Sequence, residues 1–364
     1  MRLLFICTFL CHTCFSQVND SLLYQLKQIP SDTERVNQIY QAGFGVRNSD
    51  PDMAYQYALA CKAEALKTKS PVHLAKSYNL LGILHYKKGD YKNALRFQEQ
   101  ALDLNSSVNN DYGIAINQTN LGNIYSDLRL YGRAESCYLS ALQAYNNLNN
   151  TLHITKTLMN IGVLKYEQKQ YDAAIRQFKE ALVYVEEVKD HDLKASCYNN
   201  LGTIYREKGA LDTAELYLDD AINLYSMTDA KMELADAYNN MALVYIKTES
   251  YAGALDYLQT AEAICKEYGF TETLIQLYDT YSMVYEAQKN YEQAFSWMKK
   301  HDNLKDSMLN LEKEDAATDA LAEPVKQESR LNNKSRGTIN NTPFLVAMLI
   351  LLIGIPLFLI RYKR

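Results

Sequence analysis

The stretch LGNIYSDLRLYGRAESCYLSAL, Leu121 to Leu142, sets the architecture, because the chain repeats its grammar at a shift of 40 residues without a gap. Its Ala134 shares a position with Ala54, Ala94, Ala174, Ala214, Ala254 and Ala294. Seven residues further on stand Cys61, Ala101, Ala141, Ala181, Ala221, Ala261 and His301. Twelve residues before the alanines stand Ala42, Gly82, Gly122, Gly162, Gly202, Ala242 and Ser282. Three before them, tyrosine recurs at 91, 131, 171, 251 and 291, with Pro51 and Leu211 as exceptions. Self-similarity at a fixed period of this length identifies a stacked repeat architecture before any local reading.

Within one copy the apolar residues fall at intervals of three and four. Leu158, Ile161, Gly162 and Tyr166 make one helical face, and a break follows at Gln168 to Gln170. Tyr171, Ala174, Ile175, Phe178, Ala181 and Leu182 make a second. Each copy is therefore a pair of amphipathic helices. Glycine and alanine admit close backbone approach, and the aromatic rings fill what remains. One pair cannot bury its apolar face alone, so neighbours must stack.

The grammar resembles the tetratricopeptide repeat (TPR). In the fifth copy it is met by Tyr198, Leu201-Gly202, Tyr205, Ala214, Leu218 and Ala221, with Leu218 where the family has an aromatic residue. The first aromatic is tyrosine at 78, 198, 238 and 278, which accounts for part of the 29 tyrosines against one tryptophan. The family's usual period is about 34 residues; the longer form resembles the kinesin light chain class and many bacterial signalling proteins. The resemblance covers residues 32–306 and implies an all-α fold, a right-handed superhelical solenoid of seven helix-turn-helix repeats. Gln38, Gln41 and Pro51 in the first copy and Ser282 and His301 in the last depart from the pattern, as expected of capping repeats.

The resemblance also implies a binding groove lined by the first helix of each pair, in which asparagines just before the Leu-Gly pair hold a ligand backbone. That position carries Asn120, Asn160, Asn200 and Asn240, and one residue earlier stand Asn79, Asn199 and Asn239. An amide donates and accepts at once, so such a ladder suits an extended peptide or a protein segment. The same amides could instead cap or cross-link neighbouring helices; asparagine is a poor helix former, and its recurrence in mid-helix calls for a reason. By the same analogy Lys76, Lys87, Lys156, Arg206 and Lys247 lie near the groove beside Asp127, Glu167, Glu207, Asp236 and Glu286, a mixture that suits an uncharged or mixed-charge peptide.

The remaining chemistry is sparse. A net charge of -5 offers no basic field for nucleic acid. No paired histidines, Gly-rich phosphate loop or nucleophile elbow stands in the sequence, so neither an enzyme, a cofactor nor a metal is expected. Cys61, Cys137, Cys197 and Cys265 lie at least 60 residues apart and fit packing positions, not a disulfide framework.

The ends read differently. Residues 1–16 (MRLLFICTFLCHTCFS) have the basic start, apolar run and small residues of a secretory signal peptide. A lead-in follows over 17–31, and beyond the repeats a charged helix and polar, flexible stalk over 307–341. Phe344 to Ile360 is free of charge, which makes 342–361 a candidate transmembrane helix. The basic tail 362–364 marks its end as cytoplasmic. The expectation is a single-pass protein of a bacterial inner membrane with its repeats in the periplasm. This order of parts resembles the sensor half of membrane-bound bacterial regulators, without their kinase or DNA-binding output. Two functions stay open: a membrane-anchored scaffold for a peptide or protein partner, and a ligand-sensing subunit that works through a separate membrane signalling partner.

Overall fold

The computed structural model describes residues 32–310. Among the described residues the secondary structure is entirely helical. The helices are α1 (Asp32–Val46), α2 (Pro51–Thr68), α3 (Pro71–Lys87), α4 (Tyr91–Ser106), α5 (Asp111–Asp127), α6 (Tyr131–Asn147), α7 (Thr151–Glu167), α8 (Tyr171–Val188), α9 (His191–Glu207), α10 (Leu211–Ser226), α11 (Lys231–Lys247), α12 (Tyr251–Tyr268) and α13 (Thr271–Ala287). A fourteenth occupies 291–310. The chain divides into two units, one ending at Ala294 and the other beginning at Phe295. In the second, Lys300 Nζ lies 3.4 Å from the centre of the Trp297 ring.

The repeat grammar becomes geometry in the first unit. The recurring alanines of α2, α4, α6, α8, α10 and α12 are wholly buried. So are Cys61, Ala101, Ala141, Ala181, Ala221 and Ala261. The recurring glycines mark the closest approach within each pair. A Cβ on Gly122 would stand 2.5 Å from the Tyr138 ring, and one on Gly162 2.7 Å from the Phe178 ring. In the last copy Ser282 replaces the glycine, and its hydroxyl donates to the Ala294 carbonyl at 3.1 Å. Tyrosines fill the wider parts of the pair: Tyr217 sits between Tyr198 and Tyr205, with ring centres 5.8 and 5.5 Å away.

Helix ends follow the same beat. Gly89, Arg129, Lys169, Gly209, Glu249 and Lys289, twenty residues from the inter-repeat turns at Lys69, Asn109, Asn149, Lys189 and Gly269, all have positive φ. A left-handed residue after the last helical turn frees the chain to reverse while its N–H satisfies a terminal carbonyl. Ser70, Asn110, Asn150 and Asp190 cap the N-termini of α3, α5, α7 and α9 with side-chain oxygens.

The first copy departs from the 40-residue register. Gln38 and Gln41 are exposed, and Val36, Ile39 and Gly43 take the core. Gly43, not Ala42, makes the close approach: its Cβ would lie 2.8 Å from Tyr57 Cβ. Four residues, 47–50, join α1 to α2, where three join the later pairs, and Asp50 caps Pro51 at the start of α2 through the Met53 N–H.

Among the described residues no helix is long and apolar enough to cross a membrane. The segments expected as signal peptide (1–16), lead-in (17–31), span (342–361) and tail (362–364) lie outside the described residues, as does the stalk beyond 310.

Candidate functional site: the inner helices and their amides

Successive first helices, α1, α3, α5, α7, α9, α11 and α13, touch one another as well as their partners. They form the inner side of the stack, and the sequence-predicted asparagines lie there.

The structure brings most of these amides together in pairs. Asn120 Nδ2 donates to Asn79 Oδ1 at 2.7 Å, and Asn79 Nδ2 donates to the Tyr40 hydroxyl at 3.2 Å. Asn240 Nδ2 donates to Asn199 Oδ1 at 3.0 Å, and Asn240 Oδ1 accepts from Arg206 at 3.3 Å. These bonds cross-link consecutive inner helices. Asn160 finds no asparagine at the matching place, where Thr119 stands, and reaches Asn123 Oδ1 at 3.3 Å. Asn200 turns back to the Ser196 carbonyl of its own helix at 2.8 Å. Asn239 is buried, and its Oδ1 has no hydrogen-bond partner; the matching residue on α13 is Thr280, whose hydroxyl donates to Gln276 instead.

The charged residues sort by position. Lys76 donates to Asn37 and Arg206 pairs with Glu207 at 3.0 Å, while Lys247 donates to the Arg206 carbonyl. Ser126 donates to Glu167 at 3.3 Å. Burial pushes the Asp236 carboxyl up to about 6, against the pull of its hydrogen bond with Thr273. Lys156 is exposed, and among the described residues no carboxylate lies within ion-pair distance of it.

Two features escaped the sequence reading. Asn123 accepts from both Asn160 and the Tyr138 hydroxyl, the latter at 2.8 Å. A chain of amides, buried but for Asn110, also joins the second and third copies: Asn117 Nδ2 donates to Gln98 Oε1, Asn105 Nδ2 to Asn117 Oδ1, and Asn110 Nδ2 to Asn105 Oδ1, each at 2.8 Å. The signal was present, since Gln98 stands where Tyr138 and Phe178 recur. The cysteines are packing residues. Cys61, Cys197 and Cys265 are buried, and burial pushes their thiols up to about 12, 12 and 11.

Comparison with known proteins agrees with the repeat fold. An uncharacterized protein, ycf37, of Pyropia yezoensis is 29% identical over 123 residues, 29% of this chain and 65% of the relative. The chain thus spans just under two thirds of that relative's length. Two solved structures share the fold. A Rap protein complexed with Competence and Sporulation Factor superposes with a TM-score of 0.61 at 17% identity, over 79% of this chain and 84% of that one. NprR in complex with its cognate peptide NprX gives 0.58 at 18% identity, over 80% and 85%. A tetratricopeptide repeat model matches residues 73–147. A second model, the MalT-like TPR region, matches residues 119–317. That match spans more than half of the chain, which therefore belongs to the family of MalT-like TPR regions.

Proposed function

We propose that the chain is a non-catalytic, membrane-anchored scaffold whose inner helices hold a peptide or protein partner along a right-handed superhelical groove. The observation that carries the reading is the row of asparagine amides on consecutive inner helices. An extended backbone offers the same donor and acceptor pairs that these amides now exchange with each other. The Rap and NprR structures support it, because both hold a named ligand on this fold. The signal-like segment 1–16 and the apolar segment 342–361 support export and anchoring in an inner membrane with the repeats in the periplasm.

The test is affinity capture on the full chain, with identification of what co-purifies. Replacing Asn160, Asn200 and Asn240 together by alanine is expected to lose the captured ligand while the melting curve stays cooperative. Undiminished capture by that variant overturns the groove as the binding surface. A reporter fused after Arg364 tests the topology, and activity only in the cytoplasm is the expected result.

A further inference from the structure

The amide cross-links close the cleft between neighbouring inner helices at two places, through Asn79–Asn120 and Asn199–Asn240. Between α5 and α7 the amide link sits elsewhere, from Asn160 to Asn123 at 3.3 Å, and no amide stands at the Thr119 position. The residue matching Asn79 and Asn199 is Thr119, whose short side chain donates to the Ala115 carbonyl of its own helix at 2.9 Å. Beside Thr119 lies a recess of about 240 Å³ lined by Thr119, Tyr145, His153, Lys156, Thr157, Met159 and Asn160. That is below the roughly 300 Å³ at which sites for whole small molecules begin, and it is the size for one or two side chains.

The lining sets the chemistry. The Tyr145 ring is buried, 4.8 Å from the His153 ring, and Met159 supplies a polarizable apolar wall. The histidine is held as a neutral ring. Its Nδ1–H donates to Asn150 Oδ1 at 2.9 Å, and its Nε2 faces the Tyr112 hydroxyl at 3.5 Å; burial and Lys156 lower its affinity for a second proton. The formal charge at the recess is then that of Lys156, which has no carboxylate partner among the described residues. The equivalent place two repeats later has the opposite sign: there Tyr225 is buried as Tyr145 is, but Glu233 and Asp236 replace His153 and Lys156. A ligand with one apolar side chain and one negative charge is therefore matched by the earlier place and repelled by the later one.

We propose that the recess between α5, α6 and α7 is a side-chain pocket of the groove, which takes an apolar side chain of a bound peptide with an adjacent carboxylate set against Lys156. The proposal rests on the peptide-binding reading above and narrows it to a subsite and a sequence preference.

The test uses the full chain in detergent and fluorescein-labelled octapeptides of glycine and serine. The central pair is leucine–glutamate, leucine–lysine or glycine–glutamate, and a randomised octapeptide pool is run alongside. Fluorescence anisotropy is expected to show the leucine–glutamate peptide binding about tenfold more tightly than either of the others. Lys156→Glu, at an exposed position, should reverse the order of the glutamate and lysine peptides. Thr119→Met, which installs the residue that the fourth copy already carries at this position, should fill the recess and abolish the advantage of leucine over glycine. Equal melting temperatures for the three proteins exclude unfolding as the cause. Peptide binding that neither variant alters overturns the pocket and leaves the peptide-binding reading standing. Failure of every peptide, the pool included, overturns both.

Discussion

At the scale of single residues, the stack is governed by how closely two backbones can come. Gly122 has the Tyr138 ring where its Cβ would be, so Gly122→Ala must push a buried ring aside. The expected cost is about 1–3 kcal/mol, read as a lower midpoint in urea with an unchanged slope. Asp236 gives a pH signature. Its folded value of about 6 lies above the unfolded value of about 3.9, so folding favours the protonated form. That stabilising share is complete below the unfolded value and is lost as pH rises through about 6. Asp236→Asn removes the charge and keeps an acceptor for Thr273. The variant should melt with the parent at pH 4 and be more stable at pH 8 by about 1 kcal/mol after solvent screening, as thermal melts at both pH values would show. The alanine and glycine positions were legible in the sequence because a close approach leaves small residues at a fixed interval. The amide partners were not. Whether Asn120 meets Asn79 depends on the stagger between helices, which is 41 residues there but 39 from α1 to α3, where Lys76 meets Asn37 and Asn79 meets Tyr40.

At the scale of elements, the helices end on left-handed residues, and several of those residues are not glycine. Lys169 holds φ at 58° between α7 and α8, a conformation that crowds a Cβ against its own carbonyl and costs roughly 1–2 kcal/mol. Lys169→Gly should recover part of that, about 0.5–1 kcal/mol once glycine's larger unfolded entropy is counted. The check is a rise in the melting temperature, and a fall would mean that the lysine contributes contacts that outweigh its strain. The break at 168–170 was plain from the periodicity, but the turn residue was not, because lysine carries no mark of a left-handed conformation. At the first turn, Asp50-Pro51 is an N-cap followed by proline at the first helical position, and α2 starts where the shift of 40 from Tyr91 places it; the slip is confined to α1, where Gly43 takes the place that the shift gives to Ala42. The recess was not legible in the sequence, since its walls come from three helices, with Thr119 on α5, Tyr145 on α6 and the rest on α7.

At the scale of the whole molecule, each helix pair leans only on its neighbours, so local opening need not be uniform along the stack. The buried thiols give this property a natural set of clocks. Cys61 sits in the first copy, Cys197 in the fifth and Cys265 in the sixth. Their burial starves them of thiolate, and a maleimide waits for each repeat to open before it can react. Alkylation followed over time, peptide by peptide, would then rank the repeats by how often they part. Cys61, at the end of the array, should be modified well before the interior Cys197. The same experiment run with a captured ligand would show which repeats it holds shut.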